Sequence, residues 1–396
     1  MSSLTFEAKP RLRFPGFNGE WGIVPLGSVF SFKQGIQCGV ELHQYAPAEG
    51  FVRFVRIIDL TQNDEPPRYI PDPGSLHHIS EHDLFMVRYG APGLVGHGHC
   101  GVIANNLFRL IPTNADGIET TFYRFVFEGK KRDLEAISGS STMPAINFTS
   151  LRTLKVPSPP LPEQQKIADF LTAVDGRIQQ LSQKLALLQD YKKGVMQQLF
   201  TQALRFKDDL GNGFPDWEDA EFGKIAKRSS EKHNPMACET DYPSIELESL
   251  GQGTGELLQL FSSQDQKSIK SKFVKGDVLF GKLRPYLRKW LMATFDGVCS
   301  SEIWVLRGRT VTNPYLYHLI QTDEFMKATN VSSGSKMPRA DWAHIAAVSF
   351  SFPTAPAEQS KIANFLTALD RKIESVAHQI SHTQAFKKGL LQQMFV

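Results

Sequence analysis

The stretch that decides the fold is PEQQKIADFLTAVDGRIQQLSQKLALLQDYKKGVMQQLF, residues 162–200. Its apolar side chains fall at Ile167, Leu171, Val174, Ile178, Leu181, Leu185 and Leu188. The gaps alternate four and three, the seam of a coiled coil and not the broader face of an ordinary surface helix. Pro162 suits the first helical position, where its missing N–H is no loss, and Glu163 in the first turn is favoured by the helix dipole. About 38 residues at ~1.5 Å each make a rod of roughly 57 Å. A rod with one exposed apolar seam needs a partner helix.

The chain supplies that partner. Residues 358–395 read EQSKIANFLTALDRKIESVAHQISHTQAFKKGLLQQMF and match the first stretch without a gap at a constant offset of 195. Glu163 corresponds to Glu358, Ile167 to Ile362, Asp175 to Asp370 and Phe200 to Phe395. The seam recurs at Ile362, Leu366, Leu369, Ile373, Val376 and Ile380. Identity extends to the polar KIA, FLTA, KKG and QQ blocks, so the two stretches are read as an internal duplication.

The intervening regions repeat the plan more loosely. LRFPGFNGEW (12–21) stands beside LRFKDDLGNGFPDW (204–217), and HDLFMVRYGAPGL (82–94) beside GDVLFGKLRPYL (276–287). Asp83 then matches Asp277, and Arg88 matches Lys282. CGVIANNLFRL (100–110) aligns with DGVCSSEIWVL (296–306), and SGSSTMP (138–144) with SSGSKMP (332–338). Short alternating runs at Phe51–Ile58, Leu84–Arg88, Gly101–Asn105 and Leu107–Ile111, with a helix around Phe122–Glu135, predict an α+β head. Pro-rich joints, VPSPPLP (156–162) and FPTAP (352–356), precede each rod and stiffen it against its head. The expected division is a head over 1–158, a long helix and linker over 159–212, a head over 213–353 and a long helix over 354–396. Thirteen linker residues, Thr201–Gly213, favour antiparallel rods, giving two strand-rich heads separated by an antiparallel coiled coil with a pseudo-two-fold duplication.

Among 396 residues, 41% are hydrophobic and 28 are Phe, which indicates folded domains with sizeable cores. A net charge of +3 permits a nucleic-acid partner only through a local basic patch. Cys38, Cys100, Cys238 and Cys299 form no CxxC pair, so neither a disulfide framework nor a zinc ribbon is suggested. The start MSSLTFEAKPRLRFPGF has no apolar signal core, and no run of about 18 apolar residues occurs, which reads as a soluble intracellular chain.

The chemistry-bearing motifs are sparse. Gly96–Gly101 satisfies GxGxxG, but strand-like Val102-Ile103 follow where a dinucleotide site needs a helix, so it reads as a turn. His97, His99 and Cys100 lack a second ligand pair, and His77, His78 and His82 read as a solvated loop; no metal site is expected. Pro71-Asp72 and Pro215-Asp216 lack a nearby Glu-x-Lys, and no GxSxG elbow, Walker loop or HExxH is present, so no catalytic residue is expected. Residues 281–290, GKLRPYLRKW, instead place four cations, a Tyr and a Trp in one Gly/Pro-shaped loop, suited to phosphates and base edges. The candidate DNA contacts are Arg88, Tyr89, Ser141 and Thr142 in the first head, and Lys282, Arg284, Tyr286, Arg288, Ser335 and Lys336 in the second. The candidate positions for helix pairing and partner docking are Glu163, Ile167, Leu171, Ile178, Leu185, Glu358, Ile362, Leu366, Ile373 and Ile380.

The joint order of PLPEQQKIADFL, APAEQSKIANFL, GDVLFGKLRPYL, the SGSSTMP/SSGSKMP pair and the RFPGF…W entry resembles the specificity subunits of Type I restriction–modification systems, over essentially the full length. The resemblance implies a non-catalytic subunit in a prokaryotic cytoplasm, whose heads each read half of a bipartite, asymmetric double-stranded DNA target. It implies rods that act as a ruler and dock two modification subunits, which bind S-adenosylmethionine and methylate adenine N6. Restriction subunits, using ATP and Mg, would complete an endonuclease and translocase. Gln165, Asp169 and Gly176 stand where the second copy has Ser360, Asn364 and Arg371, so the two docking sites need not be equivalent. A purely structural coiled-coil adaptor and a chain with its own methyltransferase or nuclease activity are the alternatives.

Overall fold

A computed structural model of the chain describes residues 6–8, 10–62, 65–139, 144–237, 239–330 and 337–395. The chain forms two compact α+β units, one of Met1–Ser182 with His378–Val396, the other of Gln183–Ala377. Two long helices, Leu161–Phe200 and Pro356–Met394, are shared between them. At 40 and 39 residues they are roughly 60 Å long. Each unit holds the first half of one and the last part of the other, so the pairing is antiparallel.

One sheet of each head repeats strand for strand. In the first unit a four-stranded sheet runs Phe30–Gln34, Leu107–Pro112, Leu84–Val87, Val95–Gly96. In the second the order Ala226–Arg228, Ile303–Gly308, Val278–Gly281, Trp290–Met292 is the same. A second sheet in each unit contains one parallel pair, Phe51–Val55 with Gly101–Ile103 and Pro243–Ile245 with Gly297–Cys299. Gly101 (φ +128°) is required here, because a Cβ would lie 2.2 Å from the Arg53 carbonyl oxygen. The matched aspartates do the same work in both copies. Asp83 accepts from the Ser80 amide (2.6 Å) and Arg109 (2.6 Å), and Asp277 from the Val274 amide (2.9 Å) and Arg307 (2.7 Å). Burial raises the Asp83 pKa, but these bonds outweigh it and hold the carboxyl below its ordinary range.

Two expected elements end early. The strand predicted to reach Ile58 stops at Val55, where the Asp59 carboxylate takes the Arg56 amide (2.7 Å) as the chain turns into the short helix Ile58–Thr61. The helix expected over 122–135 is two, Thr120–Gly129 and Lys131–Ser138, broken after Gly129, a poor helix former.

The start of each long helix is a polar joint closed off from water. Glu163 (0% exposed) receives Arg13 Nε (2.6 Å) and Nη2 (2.7 Å) and the Trp21 indole N–H (3.1 Å). Glu358 (1% exposed) receives Arg205 Nε (3.1 Å) and Nη2 (3.0 Å). The neighbouring glutamines are equally paired. Gln164 donates to the Pro159 carbonyl and accepts from the Glu119 amide, while Gln359 donates to Pro353 and accepts from Thr312. The second copy departs at Trp217, whose indole N–H has no partner among the described residues. Docking by Glu163 or Glu358 is thereby corrected: a buried carboxylate engaged by arginine has no face left for a partner chain.

The seam is likewise spent inside the chain. Ile167 and Leu171 are buried in the first unit's core beside Leu390, Leu391 and Met394, with Ile178 half-buried against it. Ile362 and Leu366 join Val195, Met196 and Leu199 in the second. Leu185, Ile373 and Ile380 are half-buried. These positions serve helix pairing and core packing.

A charged pair recurs below each joint with one change. Asp175 binds Arg124 (2.7 Å) and Lys387 (2.7 Å). Asp370 binds Lys192 (2.6 Å), and the place of Arg124 is taken by His318, fully buried, with Nδ1 4.0 Å from Asp370 and without a hydrogen bond among the described residues. Burial first, then the Lys192 charge, push the His318 pKa down to about 3, while burial raises that of Asp370.

Two predictions follow from these joints. Glu163→Ala strands Arg13 and Trp21 and should cost about 3 kcal/mol as a lowered denaturation midpoint. Glu218→Ala, on an exposed strand, is the control, expected within about 0.5 kcal/mol. Equal midpoints would deny the joint its role. His318 stays neutral when folded but charges when unfolded near pH 6.5, so its contribution is complete above that value and falls as pH drops toward 3. Between pH 7 and 5.5 the loss should be on the order of 1 kcal/mol, and His318→Gln should flatten that slope.

Candidate nucleic-acid interface

The second unit's hairpin, Val278–Gly281 with Trp290–Met292, carries the basic loop at its tip. The tip is pinned by its backbone. Lys282 N–H donates to the Glu302 carbonyl (2.9 Å), Ala340 N–H to Lys282 (2.9 Å), and Arg284 N–H to Pro338 (2.8 Å). Pro285, with its preset φ, opens a single 3-10 turn, Pro285–Leu287, closed by Arg288 N–H to the Pro285 carbonyl (2.8 Å).

Some charges of the tip are engaged and others are not. Arg288 pairs with Asp323, whose carboxyl is held below its ordinary range mainly by that bond. Lys289 donates to the Leu247 carbonyl (2.7 Å), and Arg339 pairs with Glu302 (3.1 Å). Lys282, half-buried, and Arg284 and Tyr286, both exposed, have no side-chain hydrogen bond or ion pair among the described residues. The arrangement offers a cation fork, an ammonium and a phenol to an anionic or acceptor-rich surface.

The first unit builds the same hairpin. Arg88 N–H donates to the Asn106 carbonyl and Ile146 N–H to Arg88, as Lys282 and Ala340 do in the second copy. The side chain differs in fate. Arg88 donates to Gln34 Oε1 (2.9 Å) and the Ile146 carbonyl (3.4 Å) and lies 4.8 Å over the Phe148 ring. Two of its five N–H donors are thus engaged in holding the hairpin beside the helix Phe148–Thr153, so Arg88 is less available as a DNA contact than its counterpart in the second loop. Tyr89 is half-buried in a bridge to Ala145. Ser141, Thr142, Ser335 and Lys336 lie outside the described residues.

One neighbour escaped the sequence reading. The loop Gly251-Gln252-Gly253-Thr254-Gly255 lies against the tip, with Gln252 bridged to Lys289 and Gly253 N–H donating to the Arg288 carbonyl (2.7 Å). Gly253 and Gly255 both take φ +71°, and a Cβ on Gly255 would meet the Tyr317 hydroxyl at 2.2 Å. Three glycines in five residues signal a special backbone, but not its neighbour. Gly96–Gly101 connects two strands, as its sequence implies. Among the described residues no group of three or more His, Cys, Asp or Glu is placed to hold a metal ion, and no helix is long and apolar enough to cross a membrane.

Known proteins share this architecture. The EcoDI specificity subunit of Escherichia coli is 23% identical over 312 residues, covering 70% of this chain and 68% of its own. The MjaVIII specificity subunit of Methanocaldococcus jannaschii is 19% identical over 94% of this chain and 91% of its own. The crystal structure of the S subunit of a Type I system from M. genitalium matches with a TM-score of 0.66 at 16% identity, covering 98% and 99% of the two chains. A structure from work on complex assembly and conformational transition of the type I R-M system gives 0.53 at 16% identity, over 94% and 97%. Residues 99–189 and 216–382 match the family described as the Type I restriction modification DNA specificity domain. Those two matches span well over half of the chain, nearly all of the second head and the greater part of both long helices, and the chain belongs to the family of Type I restriction–modification specificity subunits, whose task is DNA target recognition.

Proposed function

We propose that this chain reads a bipartite, asymmetric DNA target, one half with each unit, and carries no catalytic site of its own. The observation behind this reading is the pair of hairpins, alike in sheet order and backbone bonding but unlike in tip side chains. A repeated scaffold with different tips suits two different half-sites. The paired long helices would act as the ruler. Half-sites read from one face of B-DNA lie about one helical turn, ~34 Å, apart, within the reach of helices roughly 60 Å long.

The same reading gives the chain two adenine-N6 methyltransferase subunits as partners, with S-adenosylmethionine bound by them, and ATP and Mg bound by restriction subunits. Because the seam is buried, docking falls to an outer face of the helices repeated in both copies. Tyr191 (53% exposed) and its counterpart Phe386 (51%) present aromatic surface. One turn on, Gly194 and Gly389 sit inside the last two turns of their helices, where a Cβ would meet nothing within 4 Å. Glycine costs about 1 kcal/mol in a helix interior, and packing within the chain gives no return for it, so close approach by a partner is the use we assign.

Inserting one heptad at equivalent places in both helices should lengthen the unspecified spacer of the methylated target, read by mapping methylated adenines genome-wide. An unchanged spacer would remove the ruler. Tyr191→Ala or Phe386→Ala alone should leave one methyltransferase subunit bound where the parent binds two, measured by native mass; two bound subunits in both variants would exclude this face.

A further inference from the structure

One residue of the second tip holds a left-handed backbone conformation that glycine would adopt without strain. Among the described residues three non-glycines have positive φ: Gln202 (+60°), Arg284 (+51°) and Arg288 (+50°). Gln202 lies just past the first long helix, where a left-handed residue commonly ends a helix. Arg288 is engaged within the chain through Asp323 and through its carbonyl to Gly253. Arg284 is exposed, and its side chain has no partner among the described residues.

The left-handed region crowds Cβ against the backbone, an expense most residues avoid. The first unit shows the relaxed solution. Counted in from the two strands, the positions matching Arg284 and Arg288 are Gly90 (φ +98°) and Gly93 (φ +87°), in a turn one residue shorter that is anchored by the same backbone bonds at Arg88 as the second is at Lys282. The turn is therefore makeable with glycine, and the arginine is kept against its conformational preference. Strain of this kind collects where a side chain must be aimed. Pro285 behind Arg284 and the bond from its N–H to Pro338 hold it in place. The nearby carboxylates Asp323 and Glu302 are already paired with Arg288 and Arg339.

Resting on the DNA-recognition reading above, we propose that Arg284 is a strained DNA contact specific to the second unit, its guanidinium fork taking two acceptors of the duplex. The acceptors are either a pair of phosphate oxygens or O6 and N7 of a guanine. Lysine cannot reproduce the fork.

The test uses the assembled complex with its methyltransferase subunits and duplex DNA bearing the methylated target. Arg284→Gly should leave the thermal midpoint of the chain equal or higher, by up to about 2–4 °C, while weakening DNA binding roughly tenfold or more. Arg284→Ala should weaken binding equally without the gain in midpoint, and Arg284→Lys should recover only part of it. A loss uniform across sequences, with the salt slope reduced by about one, identifies phosphate. A loss confined to one base pair of the second unit's half-site identifies guanine. Undiminished binding by Arg284→Gly, or a lowered midpoint, overturns the proposal. Failure of the parent complex to bind its methylated target selectively overturns the parent reading instead, and this proposal with it.

Discussion

A carboxylate without water opens each long helix, and the arrangement of each unit depends on it. Glu163 and Glu358 would be costly where they lie but for the arginines brought to them from 150 residues or more away. The adjacent glutamines bond to the head on one side and to the proline joint on the other. Pairing of this kind has strict geometry, so it fixes the direction in which the helix leaves the head. Proline stiffening alone would restrict the chain without specifying that direction.

Duplication makes the same constraint available twice. The two copies agree where an error would be expensive: the order of the four-stranded sheet, the Asp–Arg pairs behind the hairpins and the buried Glu-Gln joints. They differ where water or a partner can compensate. At the hairpin tips the first copy has glycines and the second arginines. This combination, a frame that repeats and surfaces that do not, is what the proposed reading of two unlike half-sites calls for.

The change from Arg124 to His318 shows how far the frame can drift. Asp175 has two cations around it, whereas Asp370 keeps one lysine and a neutral imidazole whose Nδ1 is shut away from solvent. The second unit retains the packing of the site while exchanging a salt bridge for a titration-dependent contribution. Two copies of one design can thus have different responses to pH without any change of fold.

Much of the architecture is written locally and was legible from residues alone. The alternation of four and three identifies the paired helices, and a gapless offset identifies the repeat, because helical periodicity and identity are properties of neighbouring positions. Strand boundaries were less legible, since the strand ends at Val55, where the Asp59 carboxylate takes the Arg56 amide, and hydropathy does not mark that end. The site divided in the same manner. Arg88 and Arg284 both read as candidate DNA contacts beside glycine or proline, yet one is engaged by Gln34, Ile146 and Phe148 and the other has no side-chain partner among the described residues. Glu163 read as a favourable first-turn charge and is a sealed ion pair. Tertiary structure alone decided these outcomes, because a charged side chain's role is set by what distant segments bring within about 3 Å of it, and composition and spacing carry no record of that distance.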